Sequence, residues 1–243
     1  MTERAVTDEQ LGHFSRRVHD LQTRVEKGAV DFSQVMDGLQ LLNEGKAIRK
    51  EKDVQVMIHE WREIYREDGI EADFSNLWIP AYKKGFDRLI VIPKGLKIQQ
   101  VYDNCAKLFP CLKNFILFPR PNSGDINLDK LVTNNDRDPA NGGYAIWLRD
   151  RIEADKELKS LSANDLEKKK ISGITLLERL LYELKYYKET GEHLDVKNHT
   201  LCSGSRDSIG NPAIVGLCAT GGCIALGNSV NSHVTLRVRS VVS

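Results

Sequence analysis

The chain lacks any apolar run that approaches a membrane span. Its longest, Phe115–Phe118 and Leu89–Ile92, are far short of the roughly 20 residues a spanning helix needs. It lacks the mark of a secretory leader, because Met1-Thr2-Glu3-Arg4-Ala5 carries an acid at Glu3 and no apolar segment follows. It lacks net charge: 35 Lys and Arg against 34 Asp and Glu leave +1 at pH 7, so no global field draws in nucleic acid or anionic lipid. Cysteine is sparse and odd in number, five in 243 residues, which argues against a disulfide framework. A reducing, cytoplasmic setting is the expectation, with no membrane partner and nucleic acid disfavoured.

Charge is missing most conspicuously from the tail. Residues 1–198 hold 65 of the 69 Asp, Glu, Lys and Arg, whereas the last 45 hold four, Arg206, Asp207, Arg237 and Arg239. The same 45 residues contain six Gly and seven Ser. A stretch so poor in ions must bury itself in sheet or expose small neutral side chains, and the change of character falls between Gly191 and His199.

Upstream the period is helical. Thr7 with Gln10 forms a capping-box pattern, and Leu11, Phe14, Val18, Leu21 and Val25 follow at steps of three and four, ending at Gly28. A second helix spans about Phe32 to Asn43, which predicts a helical hairpin. Its stripe is explained by packing between the two helices, with self-association as the alternative. Val54 to Glu67 is a third amphipathic helix. Leu89–Ile92, a helix over Ile98–Phe109 ended by Pro110, and Phe115–Phe118 suggest a βαβ unit, although no glycine-rich phosphate loop joins the first strand to the helix. Residues 119–143 read as loop and Tyr144–Leu148 as strand. Ser162 with Asp165 and Thr175 with Glu178 open two more helices, the second stopped at Gly191. Thr200–Ser203, Ala213–Ala219, Cys223–Leu226 and Val234–Val242 then read as strands, with Thr220-Gly221-Gly222 as a hairpin turn.

Chemistry-bearing patterns are weak. Cys202, Cys218 and Cys223 lie near His199 and His233, but without the paired knuckle spacing of structural zinc, so no metal is implied. Cys218 and Cys223 flank the hairpin and can face each other, yet the expected compartment favours thiols. Ser203-Gly204-Ser205 is not a nucleophile elbow, because positions 201 and 207 are not glycine. Glu167-Lys168-Lys169-Lys170 reads as a solvated helix end, and Arg149, Asp150 and Arg151 as a salt-bridged strand exit. Trp61, Trp78 and Trp147 are assigned to the core. No cofactor is implied.

The segments Gly173-Ile174-Thr175-Leu176-Leu177-Glu178, Lys188-Glu189-Thr190-Gly191, His193-Leu194-Asp195, Thr200-Leu201-Cys202-Ser203-Gly204-Ser205-Arg206 and Leu236-Arg237-Val238-Arg239-Ser240-Val241-Val242-Ser243 resemble the C-terminal region of an uncharacterised bacterial family. Its members look like variable proteins diversified by retroelements, which use a C-type-lectin-like fold to display varied side chains to ligands. The resemblance covers about 70 residues well and implies that Ser208–Thr235 is the varied stretch, although no Trp or Tyr lies within it. The expected architecture is α+β: a helical hairpin (1–50), a mixed α/β region (51–160), and a helix plus antiparallel, C-type-lectin-like β module (161–243). The expected function is binding of an unknown protein or small-molecule ligand, with Ile209, Asn211, Ile214, Leu217, Asn228 and Asn231 as the candidate face. The alternatives are an enzyme sited near the 134–151 loop and strand, or an adaptor that multimerises through the N-terminal helices.

Overall fold

The computed structural model describes residues 7–43, 54–116, 127–218, 221–227, 229–230 and 232–243. The chain divides into two compact units, Met1–Asp53 and Val54–Ser243, so a boundary near residue 160 falls inside the second unit. No helix among the described residues is long and apolar enough to cross a membrane.

The first unit is the expected helical hairpin, α1 (Asp8–Glu26) and α2 (Phe32–Asn43). Gly28 at φ +67° ends α1, and the Gly28 and Ala29 amides bond back to the Val25 and Arg24 carbonyls at 2.9 Å each, the left-handed termination that glycine favours. The apolar stripe is not consumed by packing between the helices. Leu11, Phe14 and Val18 on α1 and Phe32, Met36 and Leu39 on α2 are exposed, while Leu21 and Val25 are half-buried.

The second unit is α+β. Helix α3 (Val54–Glu67) buries Ile58, Trp61, Ile64 and Tyr65 against β1 (Arg88–Ile92). The Trp61 indole and Tyr65 phenol donate to the Leu89 and Val91 carbonyls at 2.9 and 2.6 Å, so two aromatic side chains occupy what would be an open strand edge. After α4 (Ile98–Leu108) comes β2 (Cys111–Ile116), then the four-residue α5 (Leu128–Leu131), β3 (Asn134–Asn135) and β4 (Tyr144–Leu148). Helix α6 (Ala163–Lys168) and helix α7 (Leu176–Thr190) start where the sequence places them, and each carries a capping box, Ser162 with Asp165 and the expected Thr175 with Glu178. Leu117 and Phe118, expected to complete the second strand, lie outside the described residues.

The tail forms β5 (His199–Arg206), β6 (Pro212–Cys218), β7 (Gly221–Leu226), β8 (Leu236–Val238) and β9 (Val241–Val242). Two sheets result, β1-β4-β9 and β2-β7-β6-β5-β3, with β8 also paired to β5, at His199–Leu201. Three expectations are corrected here. β1 and β2 stand in different sheets, so strand, helix and strand make no βαβ unit. The tail sheet is not purely antiparallel: β2 pairs with β7, and β8 with β5, in parallel. Val234–Val242 is not one strand, because the chain leaves one sheet for the other at Arg239 and Ser240, where the Arg239 side chain turns inward and is 2% exposed.

Helix α7 is the hub. Eleven of its fifteen residues are buried, from Leu176 to Tyr186, and its leucines share one core with β1, β4, α4 and the Ala213, Val215 and Ile224 side of the tail sheet. The opposite side of that sheet packs Leu201, Leu236 and Val238 against Ala163 and Leu166 of α6. The tail strands, poor in ions, are therefore covered on both faces.

Candidate functional site

Of the four charged residues in the tail, Arg239 is buried and ion-paired, and its partner is Asp195. Asp195 sits at φ +55°, a left-handed position that Asp tolerates, and is 0% exposed. One carboxylate oxygen accepts from the Ala154 amide at 2.9 Å and from Arg239 at 2.7 Å. The other accepts from Arg179 Nε at 3.0 Å and from the Thr200 hydroxyl. Burial pushes the Asp195 carboxyl up, but the guanidiniums of Arg239 and Arg179 and the Thr200 hydroxyl outweigh it and hold the group below its ordinary value. Arg239 also donates to the Arg151 and Ile152 carbonyls at 2.8 and 2.6 Å. One carboxylate therefore ties α7, the turn after it, β5 and the β8–β9 crossover together.

A second clamp lies beside it. Glu178 receives Arg137 at both oxygens, 2.7 and 2.9 Å, and closes its own capping box on the Thr175 amide at 2.8 Å. Arg137 also donates to Gly173 O at 2.7 Å. The Gly173 and Gly204 backbones meet so closely that a Cβ on Gly204 would stand 2.8 Å from Gly173 O, which explains glycine in the Ser203-Gly204-Ser205 segment. Ser205, 0% exposed, accepts from the Leu176 amide at 2.8 Å and donates to Asn135. It is a strut, not a nucleophile.

The candidate face divides. Ile209 stands 75% exposed in the β5–β6 loop. Asn211 is half-buried and committed to Asp207, its amide 2.8 Å and its carboxamide 3.1 Å from that carboxylate. Ile214 and Leu217 lie three residues apart on β6, an odd step that puts them on opposite faces. Ile214 packs toward the α6 cluster, whereas Leu217 lines a small cavity of about 20 Å³ with His193 and Cys223 on the other side. Asn228 and Asn231 lie outside the described residues. The six do not form one surface. Sequence reasoning missed the exposed apolar residues Val230 and Val234, at 63% and 61%; they stand on a loop, where strand alternation gives no signal.

That cavity also gathers Cys105, Cys111 and Glu183. His193 Nδ1 lies 2.8 Å from Glu183. Burial and the neighbouring Glu183 push the Cys111 thiol up to about 12, so it is no activated nucleophile at neutral pH. Space for about one water leaves no room for substrate. Cys223 is disulfide-bonded, while Cys105, Cys111 and Cys202 are free, which corrects the expectation of thiols throughout. Among the described residues no group of three or more His, Cys, Asp or Glu is placed to hold a metal ion.

Around the 134–151 region the strand exit is ion-paired as expected: Arg149 to Asp155 at 2.6 Å, Arg151 to Glu157 at 2.8 Å and Arg88 to Asp150 at 2.9 Å. The loop before β4 borders an open cleft of about 350 Å³ lined by Trp78, Asp136, Asp138, Asn141 and Tyr144. Trp61 and Trp147 are core, but Trp78 is 55% exposed, a correction to its assignment from sequence.

No protein-family profile, curated protein or solved structure matches the chain.

Proposed function

We propose that the second unit is a ligand-recognition module of C-type-lectin-like type, in which the loops at 207–211 and 229–235 meet a protein or small-molecule partner. The observation that carries this reading is the contrast within the tail. Thr200–Ser205, Val238 and Arg239 are buried, held by the Asp195 and Glu178 clamps. Ser208, Ile209, Val230, Ser232 and Val234 are exposed, and three of these are apolar. The Asp195 and Glu178 clamps use none of these side chains, and exposed apolar side chains are the material of binding surfaces. The recognition face therefore sits on loops rather than on the β6 strand, and Asn211 supports the loop from inside. The resemblance to retroelement-diversified proteins agrees with this division between fixed and free positions.

The test is a display library randomised at Ser208, Ile209, Val230, Ser232 and Val234 and selected on unrelated protein targets. Recovery of folded, target-specific binders supports the module. A library that folds but never yields a binder removes it.

The N-terminal hairpin favours a second reading for its own unit. Its exposed Leu11, Phe14 and Val18 repeat at helical spacing, which suits a self-associating stripe. Size-exclusion chromatography of the hairpin fused to an inert carrier decides this: a monomer ends the reading.

A further inference from the structure

We propose that the cleft in front of β4 binds an organic ammonium ion, at a site separate from the recognition loops and independent of their function. The cleft of about 350 Å³ is the size of a small-molecule site. One wall is the Trp78 indole, 55% exposed in a protein whose other two tryptophans are at most 1% exposed. The backbone fixes this tryptophan: the Trp78 amide donates to Gly143 O at 3.2 Å and the Ala145 amide to Trp78 O at 2.8 Å. The Trp78 backbone is therefore pinned to the sheet rather than carried on a free loop.

The charge of the cleft is one-sided. Arg137 is the cation at its margin, but Glu178 already matches it with a two-pronged pair, and Ser172 and Gly173 O take two further bonds. Asp136 lies close enough to add to the field on Arg137, behind Glu178 and Tyr144. Among the described residues Asp136 and Asp138 make no ion pair. Asp138 caps the turn at Pro139–Asn141, accepting from the Ala140 amide at 2.9 Å, and lines the cleft. Three acidic side chains, Asp136, Asp138 and Glu178, thus stand against the single guanidinium of Arg137 beside the exposed Trp78. A π face attracts a cation most strongly when the cation is weakly hydrated, and alkylated ammonium groups are. Carboxylates add long-range attraction and select against neutral ligands. An anion would meet repulsion from both acids, and a neutral apolar ligand would desolvate them without return.

The experiment is a fluorescence titration of the full chain with choline and with its neutral isostere 3,3-dimethyl-1-butanol. Because Trp61 and Trp147 are buried, the response to a surface ligand comes from Trp78. The expected result is a saturable change with choline at millimolar concentration or below, at least tenfold weaker with the isostere and absent in Trp78→Ala. Asp136→Asn combined with Asp138→Asn keeps both side-chain shapes and the turn cap, so folding is preserved while affinity for choline falls at least tenfold. Equal responses to the two isosteres overturn the proposal, as does a choline response that survives in Trp78→Ala or in the double Asn variant. So does the absence of any saturable response in the unaltered protein.

Discussion

Substituting Asp195 by Asn isolates the charge of the central clamp from its shape. Asn keeps the side-chain volume and tolerates the left-handed backbone at φ +55°, so neither a cavity nor backbone strain enters. What changes is the carboxylate that Arg179 and Arg239 share, at 2.8 and 2.7 Å, with all three side chains at most 2% exposed. Arg179 retains Glu183 at 2.8 Å, and Arg239 retains two carbonyls, so neither guanidinium is wholly abandoned. The amide would nevertheless turn an N–H toward donors in place of an acceptor. Breaking a buried ion pair by removing one partner costs about 3–5 kcal/mol, and the surviving partners place this case near the lower end. In a unit of roughly 190 residues each kcal/mol moves the melting temperature by about 2–4 °C, so a fall of about 6–12 °C is expected. Urea unfolding followed by the fluorescence of the buried Trp61 and Trp147 measures the loss directly. A cost under about 1 kcal/mol, the range of exposed pairs, would show that the clamp does not hold the tail and would refute the framework argument.

Two further outcomes follow from the same geometry. Gly204→Ala drives a methyl to 2.8 Å from Gly173 O, a backbone atom that cannot rotate away, and should cost about 1–3 kcal/mol as overpacking, read from the urea midpoint. Burial pushes the Asp195 and Glu183 carboxyls up, but their arginine partners outweigh it and leave both below their ordinary values. The folded state therefore binds fewer protons than the unfolded chain in acid. That stability is whole above the usual carboxylate value of about 4 and is lost as pH falls through the lower folded values. Urea midpoints taken from pH 7 down to pH 3 should drop steeply for the parent and less steeply for Asp195→Asn.

Much of the fold was legible because local rules were obeyed. The helix starts at Ser162 and Thr175, the Gly28 and Gly191 stops and the amphipathic α3 follow from a few residues each, and tertiary packing left them in place. Sheet membership was not legible. Nothing in Leu89–Ile92 or Cys111–Ile116 declares which sheet will take it, since pairing is decided by partners far away in sequence. Val234–Val242 looked like one strand because Arg239 breaks no backbone rule; its inward turn is imposed by Asp195, 44 positions earlier. The candidate face was half legible for a related reason. Ser208–Thr235 contains the exposed loops, but Ile214 and Leu217 were chosen by composition, and strand alternation sends them to opposite sides. Trp78 was assigned to the core because aromatic residues usually are, and its exposure only emerges from the loops around it.

Parallel randomisation measures the contrast between framework and loops most directly. One library varies Ser208, Ile209, Val230, Ser232 and Val234; a second varies Arg179, Asp195, Thr200 and Arg239; each is scored for protease-resistant folded protein. Most members of the first library should remain resistant, with surface-like costs within about 0.5 kcal/mol per position, while almost none of the second should survive. Equal survival of the two libraries, or collapse of the loop library, would contradict the account.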